Sequence, residues 1–123
     1  MTIYSLEEYK EMAEQALKDT GAFLRVSRDE GLFVTDAKRR GADVNALKKR
    51  LPGFSFSEKE GLVYLTPNYG FSSEANSACT MILKSDADKR ERLIRTHLAA
   101  AMRSKNKEEI ALFERFFERM INT

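Results

Sequence analysis

With one cysteine, one histidine, two prolines and no tryptophan among 123 residues, the chain is short of the residue types from which most recognisable sites are built. Cys79 alone cannot close an internal disulfide. Cys-x-x-Cys and His-x-x-x-His pairs are both missing, so no zinc site is expected. The six glycines spell neither Gly-x-Gly-x-x-Gly nor the Walker pattern, which removes the common backbone cradles for nucleotide phosphates. No Gly-x-Ser-x-Gly elbow supports Ser/His/Asp catalysis. The longest uncharged run, Gly61 to Ser73, contains Pro67, Asn68, Gly70 and two serines, and falls short of the roughly 20 apolar residues a membrane span needs. The opening Met1-Thr2-Ile3-Tyr4-Ser5 leads straight into Glu7, Glu8 and Lys10, unlike the basic start and apolar run of a secretory signal. These absences lead us to expect a cytoplasmic chain with no catalytic residue, no metal and no cofactor.

The composition is that of a folding chain: 42% hydrophobic and 33% charged residues, with a net charge of +2. Its length suits one domain, residues 1–123, and no linker rich in Pro, Gly or Ser divides it. The expected fold class is α+β. A small antiparallel sheet forms from two β-hairpins linked by a short helix, and packs with an N-terminal helix and a C-terminal helical hairpin.

Local signals place these elements. Ser5 with Glu8 makes a capping box, and Leu6, Tyr9, Met12, Ala13, Ala16 and Leu17 recur at helical spacing, which predicts a helix over 6–19 ended by Gly21. Ser27 to Leu32 and Ser57 to Leu62 are similar polar turns ending in Gly31 and Gly61. Phe23–Val26 and Leu32–Thr35 flank the first, and Phe54–Phe56 and Leu62–Leu65 the second, which predicts hairpin loops of three to five residues with a left-handed glycine. Asp43 caps a short helix bearing Val44, Leu47 and Leu51, and Pro52-Gly53 ends it. Residues 66–84 read as loop followed by strand, from Pro67-Asn68-Tyr69-Gly70 and then Thr80-Met81-Ile82-Leu83. Ser85 to Asp88 start a helix with Leu93, Ile94, His97, Leu98, Ala101 and Met102 on one stripe. After a break at Ser104-Lys105-Asn106, Ile110, Phe113, Phe116, Phe117, Met120 and Ile121 face one side of a second helix.

Two features suggest function. Residues 37–51 carry Lys38, Arg39, Arg40, Lys48, Lys49 and Arg50 against Asp43 alone, a local charge of +5, while 84–103 add +3 through residues that include Arg90, Arg92 and Arg95, and 1–20 sum to −3. Such cations could neutralise phosphates or meet an acidic partner, and are equally natural on a solvated face. The apolar face of the last helix, with Phe113, Phe116, Phe117 and Met120, either caps the chain's own core or contacts another protein, including a second copy. His97 on its apolar stripe and Cys79 read as packing residues, and the pairs Asp86/Asp88 and Glu108/Glu109 as helix-start acids. The leading expectation is a small non-enzymatic regulatory or adaptor module acting through protein contacts. The alternative is a nucleic-acid-binding accessory protein using the basic segment 38–50.

Overall fold

The computed structural model describes residues 2–27 and 31–121, so part of the first hairpin's expected polar turn lies outside the described residues. The fold is α+β. Its elements run α1 (Leu6–Ala16), β1 (Leu24–Val26), β2 (Phe33–Thr35), α2 (Val44–Arg50), β3 (Phe54–Lys59), β4 (Leu62–Pro67), α3 (Ser73–Lys84), α4 (Ala87–Ser104) and α5 (Lys107–Met120). They divide into two compact units. Leu6–Tyr69 forms a sheet unit, and the chain from Gly70 onwards forms a helical unit together with the N-terminal segment up to Ser5.

In the sheet unit both hairpins enter one antiparallel sheet of order β1-β2-β4-β3, so β1 and β3 are its edges. Registered partners share a face. Phe33, Thr35, Phe54, Val63, Leu65 and Pro67 all lie on one face and are buried. Helix α1 lies against that face. Tyr9 sets its ring edge-on to Phe54 at 5.5 Å, and its hydroxyl donates to the Tyr69 hydroxyl at 2.7 Å. Helix α1 ends earlier than the periodicity suggests, because the Thr20 hydroxyl donates to the Leu17 carbonyl and accepts from the Ala22 amide, which turns residues 17–21 out of the helix. Helix α2 starts where expected, with the Asp43 carboxylate accepting from the Asn45 amide at 3.0 Å, and buries Leu47.

The second hairpin departs from the sequence expectation. Lys59 pairs directly with Leu62, leaving a two-residue loop of Glu60 (φ 55°) and Gly61 (φ 80°), the geometry of a type I′ turn. Strand β3 therefore runs three residues past Phe56. Gly31 differs too, since it is not among the positive-φ glycines. What calls for glycine there is proximity: a Cβ would stand 2.8 Å from Thr66 Oγ1 and 3.2 Å from the Leu65 carbonyl oxygen.

The reading of residues 66–84 as loop then strand is wrong at Thr66 and Pro67, which belong to β4, and again in the helical unit from Ser73 onwards. Ser72 accepts from the Ala75 amide as an N-cap, and Ala75, Cys79, Ile82 and Leu83 recur at helical spacing and are buried. The Thr80 hydroxyl bonds back to the Asn76 carbonyl at 3.1 Å, which accommodates a β-branched residue within the helix. Asp86 caps α4. Its end is the left-handed Lys105 (φ 56°), after which Asn106 accepts from the Glu109 amide and starts α5. Helix α4 packs along α5 and against α3. Among the described residues no helix is long and apolar enough to cross a membrane.

Candidate interaction surface

Most of the cations singled out from the sequence have structural employment. Lys38 Nζ lies 2.8 Å from Glu58 Oε1, and Arg40 Nε lies 2.9 Å from Asp36 Oδ2. The Arg39 guanidinium donates to the Glu60 carbonyl at the hairpin tip, and Arg50 Nη1 donates to the Ala16 carbonyl at 3.2 Å, where α1 leaves its last carbonyls unmet. Lys48 and Lys49 are exposed on the last turn of α2, where cations complement the negative end of a helix. Arg90, Arg92 and Arg95 belong to the helical unit. Arg90 satisfies the end of α3 by donating to the carbonyls of Ile82 and Ser85 at 3.3 and 2.9 Å, Arg92 is exposed, and Arg95 bridges to Glu91 at 3.1 Å and lies 5.1 Å over the Phe117 ring.

The apolar face of α5 divides in two. Phe113 and Phe116 are 3% and 0% exposed, with their rings 6.4 Å apart, so these two fill the protein's own interior and are not presented to a partner. Phe117 and Met120 are half-buried. The His97 ring stacks on Phe113 at 5.4 Å, which gives the imidazole a packing role. Burial pushes the Cys79 thiol up to about 12, far from the range in which it would be a nucleophile. Among the described residues no group of three His, Cys, Asp or Glu side chains converges as metal ligands.

A feature the sequence reading missed lies along β3. The Asn68 amide donates to the Gly53 carbonyl at 2.8 Å, and the same register pairs Ser55 with Thr66, Ser57 with Tyr64 and Lys59 with Leu62. In an antiparallel ladder hydrogen-bonded and non-bonded pairs alternate. The backbone groups of Ser55 and Ser57 therefore point to β4, while those of Phe54, Phe56 and Glu58 point outward. The Phe54 amide turns back to the Leu51 carbonyl at 3.2 Å. The outward amides and carbonyls of Phe56 and Glu58 have no partner among the described residues. Neither a proline nor a bulge interrupts the strand, whose six residues pair one to one with β4. Ser55, Ser57 and Glu58 are exposed and Phe56 is half-buried, so among the described residues the edge is open.

The charge beside this edge is mixed. The Lys38 ammonium, by its hydrogen bond and its charge, holds the Glu58 carboxyl below the usual range, and the charge of Lys48 adds to the effect. Lys38, Lys48 and Glu58 therefore belong to one neighbourhood although 20 residues of chain separate the first from the last. Arg39 joins them at the turn through Glu60. The sequence signal that could have found this edge is the dipeptide Glu60-Gly61: read as a two-residue turn, it fixes the register and so the outward backbone groups. No protein-family model, curated protein or solved structure matches the chain.

Proposed function

We propose that this chain is a non-enzymatic regulatory or adaptor module, acting in the cytoplasm, that holds a protein partner by adding an extended segment of it to the β3 edge. The observation that supports this is the pair of outward-facing, unpartnered backbone positions at Phe56 and Glu58 on an uninterrupted six-residue edge strand. Main-chain hydrogen bonds to such an edge give affinity, and alternate side chains give selectivity. Natural sheets usually guard an edge of this length with proline, a bulge or a covering loop. Among the described residues the guards here are charged side chains.

Phosphate binding by the 38–50 segment has less support. Lys38 and Arg40 are paired with carboxylates, and Arg39 and Arg50 are bonded to carbonyls, which leaves Lys48 and Lys49 as its cations without an ion pair or hydrogen bond among the described residues.

Affinity capture of partners by the wild type, Glu58→Pro and Glu58→Gln tests the proposal. Proline at position 58 removes an outward amide without removing a bond to β4, since an edge position facing solvent tolerates it. Glutamine keeps that amide and removes only the charge. Partners retained by Glu58→Gln and lost by Glu58→Pro support the edge as the binding surface. Equal recovery with both variants would refute it.

A further inference from the structure

We infer that the segment accepted by the β3 edge is acidic, with carboxylates on the side of the Glu60-Gly61 turn and an apolar residue opposite Phe56. This rests on the edge-strand reading above and adds the chemistry of the occupant.

An added strand lies about 4.8 Å from β3, close enough for its side chains to meet those of its neighbour. On the Phe56 face the incoming residue opposite position 56 meets a half-buried phenylalanine ring, which favours an apolar side chain there. Two residues along, towards the turn, the surroundings become ionic. Lys38 bridges to Glu58, Lys48 acts on Glu58 through its charge, and Arg39 is bonded to the Glu60 carbonyl. Three cations thus stand against the two carboxylates of Glu58 and Glu60. Neither Arg39 nor Lys48 forms an ion pair with a carboxylate among the described residues. Glu58 stays ionised and is already held by Lys38, so the excess positive charge lies beyond it, at the turn. A carboxylate from an added strand lies within reach of Lys48 and Arg39 there, whereas a basic segment meets like charge. Rim charges of this kind set partner choice and association rate, and their effect weakens as salt rises.

The test uses the full chain and fluorescein-labelled eight-residue peptides of sequence Val-Thr-Val-Thr-Glu-Thr-Glu-Thr, with Gln and Lys counterparts at the two Glu positions. Anisotropy is measured at about 50 and about 200 mM salt. The expected result is binding of the Glu peptide about tenfold tighter than either counterpart at low salt. The Glu peptide should also lose about tenfold or more on Glu58→Pro or when its alternate amides are N-methylated, and several-fold on Lys48→Glu. If all three peptides bind equally but remain sensitive to N-methylation, the edge stands and the acidic assignment is overturned. If the Glu peptide binds regardless of N-methylation and of Glu58→Pro, both fall. No binding of any peptide at about 1 mM, weaker than any useful peptide complex, overturns the acidic assignment, and partner capture by the proline variant then decides the edge. A single-stranded oligonucleotide that outcompetes the peptide and ignores Glu58→Pro overturns it in favour of phosphate binding.

Discussion

Phe116 and Phe117 are adjacent in sequence, yet the structure assigns them different roles, so alanine substitution at each should have different consequences. Phe116 is fully buried beside Phe113 in the helical unit. Truncating a buried phenylalanine removes its transfer free energy and leaves a cavity, at a cost of about 3–5 kcal/mol, a large share of the roughly 5–15 kcal/mol that stabilises a domain. With a urea dependence of about 2 kcal/mol per molar, Phe116→Ala should lower the unfolding midpoint by about 1.5–2.5 M. Phe117 is half-buried under the Arg95 guanidinium. Its truncation gives up part of an apolar contact and a partly exposed cation–π contact, at about 1–2 kcal/mol and a shift of no more than about 1 M. Urea titrations followed by far-ultraviolet circular dichroism read both shifts, and sedimentation velocity reads association. An unmoved midpoint for Phe116→Ala together with a loss of self-association would refute the assignment of Phe116 to the interior.

Three further predictions concern the sheet unit. In amide hydrogen exchange, Phe56 and Glu58 should exchange quickly and Ser55 and Ser57 slowly; the reverse pattern would mean the β3 register is off by one residue. Gly31→Ala should destabilise by about 1–3 kcal/mol because its methyl meets Thr66 and the Leu65 carbonyl, whereas Gly53→Ala, with open space around the added carbon and no positive φ, should be neutral or stabilise by up to about 1 kcal/mol. Thermal melts that rank these two the other way would contradict the close approach of residue 31 to β4. The Glu58 carboxyl is lowered by Lys38, so its contribution to stability is fully present above its unfolded pKa and is lost as pH falls through the lower folded value. Below about pH 4.5 the wild type should therefore lose some stability that Lys38→Met does not, as read by melting temperature against pH; parallel acid limbs would show that the pair contributes nothing.

What was legible in the sequence follows the range of the interactions that decide each element. Asp43, Asp86 and Asn106 act on amides two or three residues away, so the starts of α2, α4 and α5 could be read from a handful of residues. Helix α3 escaped because Thr80-Met81-Ile82-Leu83 is locally rich in strand formers. Its helical state rests on the Ser72 cap and on burial of Ala75, Cys79, Ile82 and Leu83 along one face. The β3 edge escaped because a glutamate with positive φ is uncommon, so Glu60-Gly61 did not announce a two-residue turn. Periodicity showed that α5 has an apolar face but not what covers it, and burial was needed to separate Phe113 and Phe116 from Phe117. Charge sums were the least informative. The +5 of residues 37–51 includes a lysine whose counter-ion, Glu58, lies outside that window.

The composition of the helical unit bears on how the chain is made. Ile3 is 7% exposed, and the segment up to Ser5 belongs to the same unit as α3, α4 and α5. During synthesis that segment leaves the ribosome ahead of the whole sheet unit. At about 5–20 residues per second, the roughly 64 residues of Leu6–Tyr69 take about 3–13 s to follow. The sheet unit has all of its strands in that time and can pair them, while Ile3 waits for helices that are not yet made. Order of synthesis and order of completion are therefore opposed for these two units: residues made before the sheet unit belong to the unit that closes after it, and a change near Ile3 would be felt among helices made later.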